Sequence, residues 1–220
     1  MFYLSLIEHK LRLPPYLLSL PLEKAIKKEL DNIFLDKVRY WSTPSPLFYR
    51  FLSSHKHKGV LCFVSQVIAN LGLCVSVYDI RSIDGGFIFP GDGASTYTVE
   101  FRMVVFRPFV GEVIAAKLKE SDEDGLRLSL GFFDDIFIPS HLLPHQSHSV
   151  PDPEKRYKVR WIWEFDAGQQ YFIDGLDEIK FQVRTVSFPP IPLEQQEKPF
   201  APMVITGTID ADGLGPVSWW

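Results

Sequence analysis

The sequence predicts two domains: an α+β unit over residues 1–108, then an all-β barrel of OB type over residues 109–220. Three observations carry this reading. The hydrophobic period switches from a strand pattern to three-and-four spacing near Pro21, and Pro108 interrupts the chain after a plainly alternating segment. From Gly111 onward every periodic segment is short and strand-like.

Residues 2–13 set Phe2, Leu4, Leu6, Leu11 and Leu13 in a strand that Pro14-Pro15 stops. After Pro21, Leu22, Ala25, Ile26, Leu30, Ile33 and Phe34 recur at three and four, while Glu23, Lys24, Lys27, Lys28 and Glu29 hold the other face. That spacing predicts an amphipathic helix of about four turns packed on its own sheet. Pro21 suits the first helical turn, where its missing N–H costs nothing.

Residues 39–67 break the pattern. They contain Arg39, Arg50, Lys56 and Lys58 but no Asp or Glu, with Trp41, Phe48, Tyr49 and Phe51 beside Pro44 and Pro46. Neither period is present, so little regular structure is expected from residue 39 to about residue 58. Aromatic faces and cations together can also make a nucleic-acid patch.

Regularity returns with a strand at 71–80, read with Leu73, Val75 and Val77 on one face and Cys74, Tyr78 and Ile80 on the other. Residues 87–90 form a short apolar piece before Gly91-Asp92-Gly93, whose glycines supply the positive φ of a tight loop. Tyr97, Val99, Phe101, Met103 and Val105 then alternate with Thr98, Glu100 and Arg102 as a half-buried strand. The later strands are read at 112–118, 126–130, 136–138, 157–165, 171–173 and 178–186, with an acidic turn at 121–125 and a short connection at 140–143. This order fits an OB-type barrel, which binds single-stranded nucleic acid across one face. Residues 189–202 are proline-rich and polar and are read as a mobile linker, followed by a last strand at 203–209.

Composition narrows the function. The chain has 220 residues, 46 % hydrophobic and 23 % charged, with a formal net charge of −4. An acidic balance argues against unaided binding through phosphate neutralisation. No apolar run reaches the roughly 18 residues of a membrane span, so no membrane partner is expected. Cys62 and Cys74 lack CxxC spacing and a flanking histidine pair, which favours a reducing compartment, cytosol or nucleus. No P-loop, GxSxG, HExxH or dinucleotide fingerprint occurs. His141, His145 and His148 are read as loop residues, not a metal site, and Asp134-Asp135 and Asp122-Glu123-Asp124 as solvated turns, not paired catalytic carboxylates. A non-enzyme with no metal and no cofactor is the expectation.

Several runs together carry a resemblance: Phe89-Pro90-Gly91-Asp92-Gly93-Ala94-Ser95; Val105-Phe106-Arg107-Pro108-Phe109 with Gly111-Glu112-Val113; Leu128-Ser129-Leu130-Gly131-Phe132-Phe133-Asp134-Asp135-Ile136; Trp161-Ile162-Trp163-Glu164; and Gly213-Leu214-Gly215 with Ser218-Trp219-Trp220. They resemble the larger stalk subunit of RNA polymerase III, in the wider family of the seventh subunit of polymerase II and the archaeal E-prime subunit. The resemblance spans nearly the whole chain. It implies an N-terminal RNP-like tip domain and a C-terminal S1-type OB domain. It also implies pairing with a smaller helical stalk subunit, docking on the polymerase III core, contact with single-stranded nascent RNA, support of transcription initiation, and a nuclear location. The helix and first strand are then natural suspects for the smaller subunit.

Within that frame the core-docking loop is Pro90, Gly91, Asp92, Gly93, Ala94 and Ser95, and the RNA-contacting residues are Lys117, Lys119, Arg127, Phe137, Lys158 and Arg160. Strand-borne cations beside aromatics make a sequence-tolerant platform. At least one of Trp161 and Trp163 is expected in the core, and Trp219 and Trp220 are expected to pack, not to bind RNA. Family members run straight from Val38 into a sequence like Ile68-Ala69-Asn70, which makes residues 39–67 extra. Val38-Arg39 can be encoded by GTACGT and Gln66 by CAG, so the segment reads as a translated, unspliced intron, with a genuine loop as the alternative. Without it the balance becomes 19 Lys/Arg against 27 Asp/Glu. The runner-up function is a free-standing OB-fold RNA-binding factor in translation or RNA decay.

Overall fold

The structure is a computed structural model that describes residues 1–35, 67–151, 159–166, 168–173, 178–190 and 200–220. The chain divides into two compact units, residues 2–106 and 107–220, with Met1 grouped with the second.

The first unit is a four-stranded antiparallel sheet of order β1-β4-β3-β2, comprising β1 (Phe2–Leu13), β2 (Val67–Ile68), β3 (Gly72–Ile88) and β4 (Ser95–Phe106). β1 pairs with β4 along its whole length, Phe2 opposite Phe106 and Leu13 opposite Ser95. Helix α1 (Leu22–Phe34) covers one face. Its Ala25, Ile26, Leu30 and Phe34 are buried, as the spacing predicts, whereas Leu22 stays exposed; Pro21 sits at the N-cap and its carbonyl accepts from Ala25 N–H at 3.0 Å. The helix stripe meets Leu11, Cys74, Val77, Val99, Phe101, Met103 and Val105. Burial pushes the Cys74 thiol up to about 12, which makes it an inert packing group.

β3 overturns two expectations. It is one 17-residue strand that absorbs residues 87 and 88, and it does not alternate. Its register against β4 skips Val75, Tyr78, Arg81 and Gly86, each a bulge that adds a residue without a partner. Three of those bulges recur every third residue, so apolar side chains at spacing three keep one face: Cys74, Val77, Ile80 and Ile83 all pack toward the helix-covered core. Val75 and Tyr78 are exposed.

The second unit holds a closed five-stranded barrel. β5 (Val113–Asp122), β6 (Gly125–Ser129) and β7 (Ile136–Pro139) form a meander; β11 (Glu178–Ser187) pairs with β5; and β12 (Val204–Thr208) closes the ring between β11 and, in parallel, β7. Interior positions alternate along these strands, with Ile114, Ala116, Leu126, Leu128, Ile136, Ile138, Ile179, Phe181, Val183 and Ile205 buried. The barrel is therefore of OB type, but its membership corrects the sequence reading. The strands at 157–165 and 171–173 are not staves. As β9 (Val159–Asp166) and β10 (Gln169–Ile173) they join β8 (Ser147–Pro151) in a separate three-stranded sheet inserted between β7 and β11. β8 escapes sequence detection because it is polar and mostly exposed. β13 (Gly215–Pro216) adds a short edge to β11.

All of the insert at 39–67 but Val67, and residues 191–199 of the linker read at 189–202, lie outside the described residues. Val67, the last residue of the first, pairs with Leu73 in β2–β3. No helix among the described residues is long and apolar enough to cross a membrane.

Candidate nucleic-acid interface

The outer face of β5, β6 and β7 gathers four of the six residues predicted to contact RNA. Inward positions on these strands are apolar, so the period of two turns Lys117, Arg127 and Phe137 outward. Lys119 joins them as the extra residue of a bulge between Leu118 and Glu120. Arg127 stands directly opposite Phe137, its guanidinium 5.7 Å from the ring centroid. Such a pair offers one aromatic face and one cation side by side, on the second and third barrel strands.

Each of these cations meets acid. Arg127 Nε lies 3.8 Å from Asp122 and 3.9 Å from Glu120; Lys119 Nζ donates to Asp134 at 2.7 Å; and Lys117 stands opposite Glu178 in the β5–β11 register. Glu123 and Asp124, in the adjacent hairpin turn, add further negative charge. The face thus sets one aromatic ring beside cations whose charge is largely balanced by acids. Sequence reading missed these acidic neighbours because Asp134 meets Lys119 from the loop between β6 and β7, and Glu178 comes opposite Lys117 only through the β5–β11 register.

Arg160 belongs elsewhere: it lies on β9, half-buried and opposite Val150 of β8. Lys158 lies outside the described residues.

The loop carrying Asp134 is a built element. Leu130 N–H donates to the Phe133 carbonyl at 2.9 Å, Gly131 N–H donates to Ser129 Oγ at 3.0 Å, and Ser129 Oγ in turn donates to Asp134. Phe133 is buried beneath, while Phe132 is exposed. Burial pushes the Asp134 carboxyl up, but its hydrogen bonds from Lys119 and Ser129 outweigh this and hold it below the usual aspartate range. A depressed folded-state pKa means the stabilisation is complete above the unfolded value, about 3.9, and is lost as pH falls through the lower folded value. Protection of the amides in residues 129–135, exchange being taken relative to the intrinsic rate at each pH, should therefore fall on acidification below about pH 4, and Asp134→Asn should remove most of that pH dependence.

The predicted docking loop joins β3 to β4 in the first unit. Asp92 N–H donates to the Phe89 carbonyl at 2.9 Å, and Asp92 accepts from Ala94 N–H at 3.2 Å and from the Arg12 guanidinium at 2.6 Å. The Arg12 hydrogen bond, then the Ala94 N–H, hold the Asp92 carboxyl below its ordinary value. Gly91 takes the positive φ, +81°, whereas Gly93 does not, which corrects the expectation for both glycines. Phe87, Ile88 and Phe89 beside the loop are exposed.

His141, His145 and His148 are exposed, and among the described residues no three His, Cys, Asp or Glu side chains group as metal ligands would. Trp161 is in the core, as expected of at least one of the two, and Trp219 packs on Trp163 with ring centroids 5.1 Å apart.

A helix-backed sheet unit followed by a closed five-stranded barrel defines a modular OB-barrel protein. Comparison with known proteins carries this further. A family model described as "SHS2 domain found in N terminus of Rpb7p/Rpc25p/MJ0397" matches residues 8–93, and one described as "RNA polymerase III subunit Rpc25" matches residues 112–199. The chain is 31 % identical over 237 residues to DNA-directed RNA polymerase III subunit RPC8 of Bos taurus, covering 100 % of this chain and 98 % of that protein. It is 32 % identical over 204 residues to the RPC8 of Saccharomyces cerevisiae, covering 80 % and 93 %. A shorter match, 38 % over 72 residues, relates it to DNA-directed RNA polymerase II subunit RPB7 of the same yeast, covering 33 % and 42 %. The chain belongs to the RPC8 (Rpc25) family, that of the larger stalk subunit of RNA polymerase III.

Proposed function

We propose that this chain is a non-catalytic stalk subunit of DNA-directed RNA polymerase III, acting in the nucleus. It pairs with the smaller helical stalk subunit and docks on the polymerase core through Pro90, Gly91, Asp92, Gly93, Ala94 and Ser95. Its two functional domains divide at residue 108. It passes nascent single-stranded RNA over the barrel and so supports initiation of small untranslated transcripts such as tRNA and 5S rRNA. The observation that carries the proposal is the match to RPC8 along the whole chain. In this reading Arg127 and Phe137 form the base-stacking pair, and Lys117, Lys119, Lys158 and Arg160 supply phosphate attraction. Because acids neutralise much of that face, the RNA is held near it by the assembly more than by the subunit's own field. This charge balance favours an assembly subunit over a free-standing RNA-binding factor, which would need a basic excess.

Affinity purification of the tagged full chain with mass spectrometry should recover polymerase III subunits, including a small helical partner. Recovery of translation or decay factors with no polymerase III subunit would overturn the assignment. In the assembled enzyme, Arg127→Ala combined with Phe137→Ala should lower RNA crosslinking to this subunit about tenfold, in line with stacking worth roughly 1–3 kcal/mol per base. Unchanged crosslinking with an intact assembly would move the RNA contact off this face and leave the subunit assignment standing.

A further inference from the structure

The inserted sheet carries an aromatic stripe that the barrel covers only in part. Trp161, Trp163 and Phe165 alternate along β9 and so share a face, and Tyr171 on β10 stands opposite Trp163. The barrel takes the first of them: Trp161 is buried, and its indole N–H donates to the Asp122 carbonyl of β5 at 3.1 Å. Trp163 is covered instead by Trp219, whose ring lies 5.1 Å from that of Trp163 at 32° and 5.8 Å from that of Tyr171. The Trp219 indole N–H also donates to the Phe172 carbonyl of β10 at 3.4 Å.

The segment bearing Trp219 is itself tied to the barrel. β13 pairs with β11, Gly215 opposite Lys180 and Pro216 opposite Ile179. Gly215 has φ +102°, and a Cβ there would come within 2.6 Å of the Trp219 ring, so the ring lies directly on the glycine. Trp220 closes the turn by donating its indole N–H to the Leu214 carbonyl at 2.9 Å. One short segment therefore holds a barrel strand at one end and a stack of sheet aromatics at the other.

We propose that residues 213–220 form a latch that fastens the inserted β8–β9–β10 sheet to the barrel, with Gly215 as the seat and Trp219 as the closing ring. A three-stranded sheet of such short strands is marginal by itself and needs a packed face. Trp161 supplies one anchor, and the latch supplies the second. The role of Trp219 is positional: it fixes the sheet as part of the barrel body.

Hydrogen exchange of the full chain tests this. Trp219→Ala should speed exchange of β9 and β10 amides roughly tenfold, the scale of a lost aromatic pair, while β5, β6 and β7 stay unchanged. Gly215→Ala should give the same regional pattern, because its Cβ displaces the ring. The double variant should add little to either single change, since both open one latch. Should Trp219→Ala fail to fold, Trp219→Phe keeps a smaller ring on the seat and reads the same regional contrast. Unchanged exchange in β10, or acceleration spread evenly over the barrel, would overturn the proposal.

Discussion

Gly125→Ala should cost the barrel unit about 3–5 kcal/mol, the sum of a backbone conformation that side chains rarely adopt and an overpacked contact. Gly125 opens β6 at φ +148°, and its backbone lies hard against β7. A Cβ there would sit 2.1 Å from the Ile138 carbonyl oxygen and 2.9 Å from Pro139 Cα. Both obstacles are backbone atoms of a hydrogen-bonded partner strand, so no side-chain rotation relieves them. A loss of this size is a large share of the 5–15 kcal/mol that holds a typical domain together. Urea unfolding followed by exchange at β6 and β7 amides measures it. Gly131→Ala is the control: its φ is also positive, +85°, but nothing lies within 4 Å of the added carbon. That change should cost only about 1–2 kcal/mol. Equal effects at the two positions would show that the close approach at Gly125 is not what requires glycine.

Phe101→Ala should remove about 3–5 kcal/mol from the first unit, the range for emptying a fully buried phenylalanine site. Phe101 lies at the centre of β4, with Ile7 opposite on β1 and Ile80 opposite on β3, and its ring is 5.7 Å from that of Phe34 on α1. It touches helix and sheet at once, so the cavity would loosen the packing of α1 as well as the strands. Exchange at α1 and β4 amides reports this unit directly, which matters because a chain of two units need not unfold in one step. Phe87→Ala, at a residue 71 % exposed, should change the same amides by less than about 0.5 kcal/mol.

Period alone revealed much of the fold. The stripe from Ala25 to Phe34, the alternation from Val99 to Val105 and the inward apolar positions of β5, β6, β7 and β11 all sit where their spacing puts them, because each buries one continuous face and keeps a regular period along it. The failures share a cause too. β3 misled because its bulges change the strand's own period, and no residue type in it announces a bulge at Val75 or Tyr78. β9 and β10 read as barrel strands because their patterning says that they are strands but not which partner they take. The candidate site was legible as residue types and illegible as electrostatics. Arg127 and Phe137 could be singled out as a cation and an aromatic on neighbouring strands, whereas the pairing of Lys119 with Asp134 across a loop could not.

The sequence by itself thus determined the two-part organisation, most elements and, through motifs spread along its length, the polymerase III stalk family. Tertiary structure decided what depends on contacts between distant segments. Val204–Thr208 closes the barrel between β7 and β11, Trp219 covers Trp163, and acids neutralise the cations of the proposed RNA face. Local spacing reports which face of an element is apolar. Only the folded chain decides what that face meets.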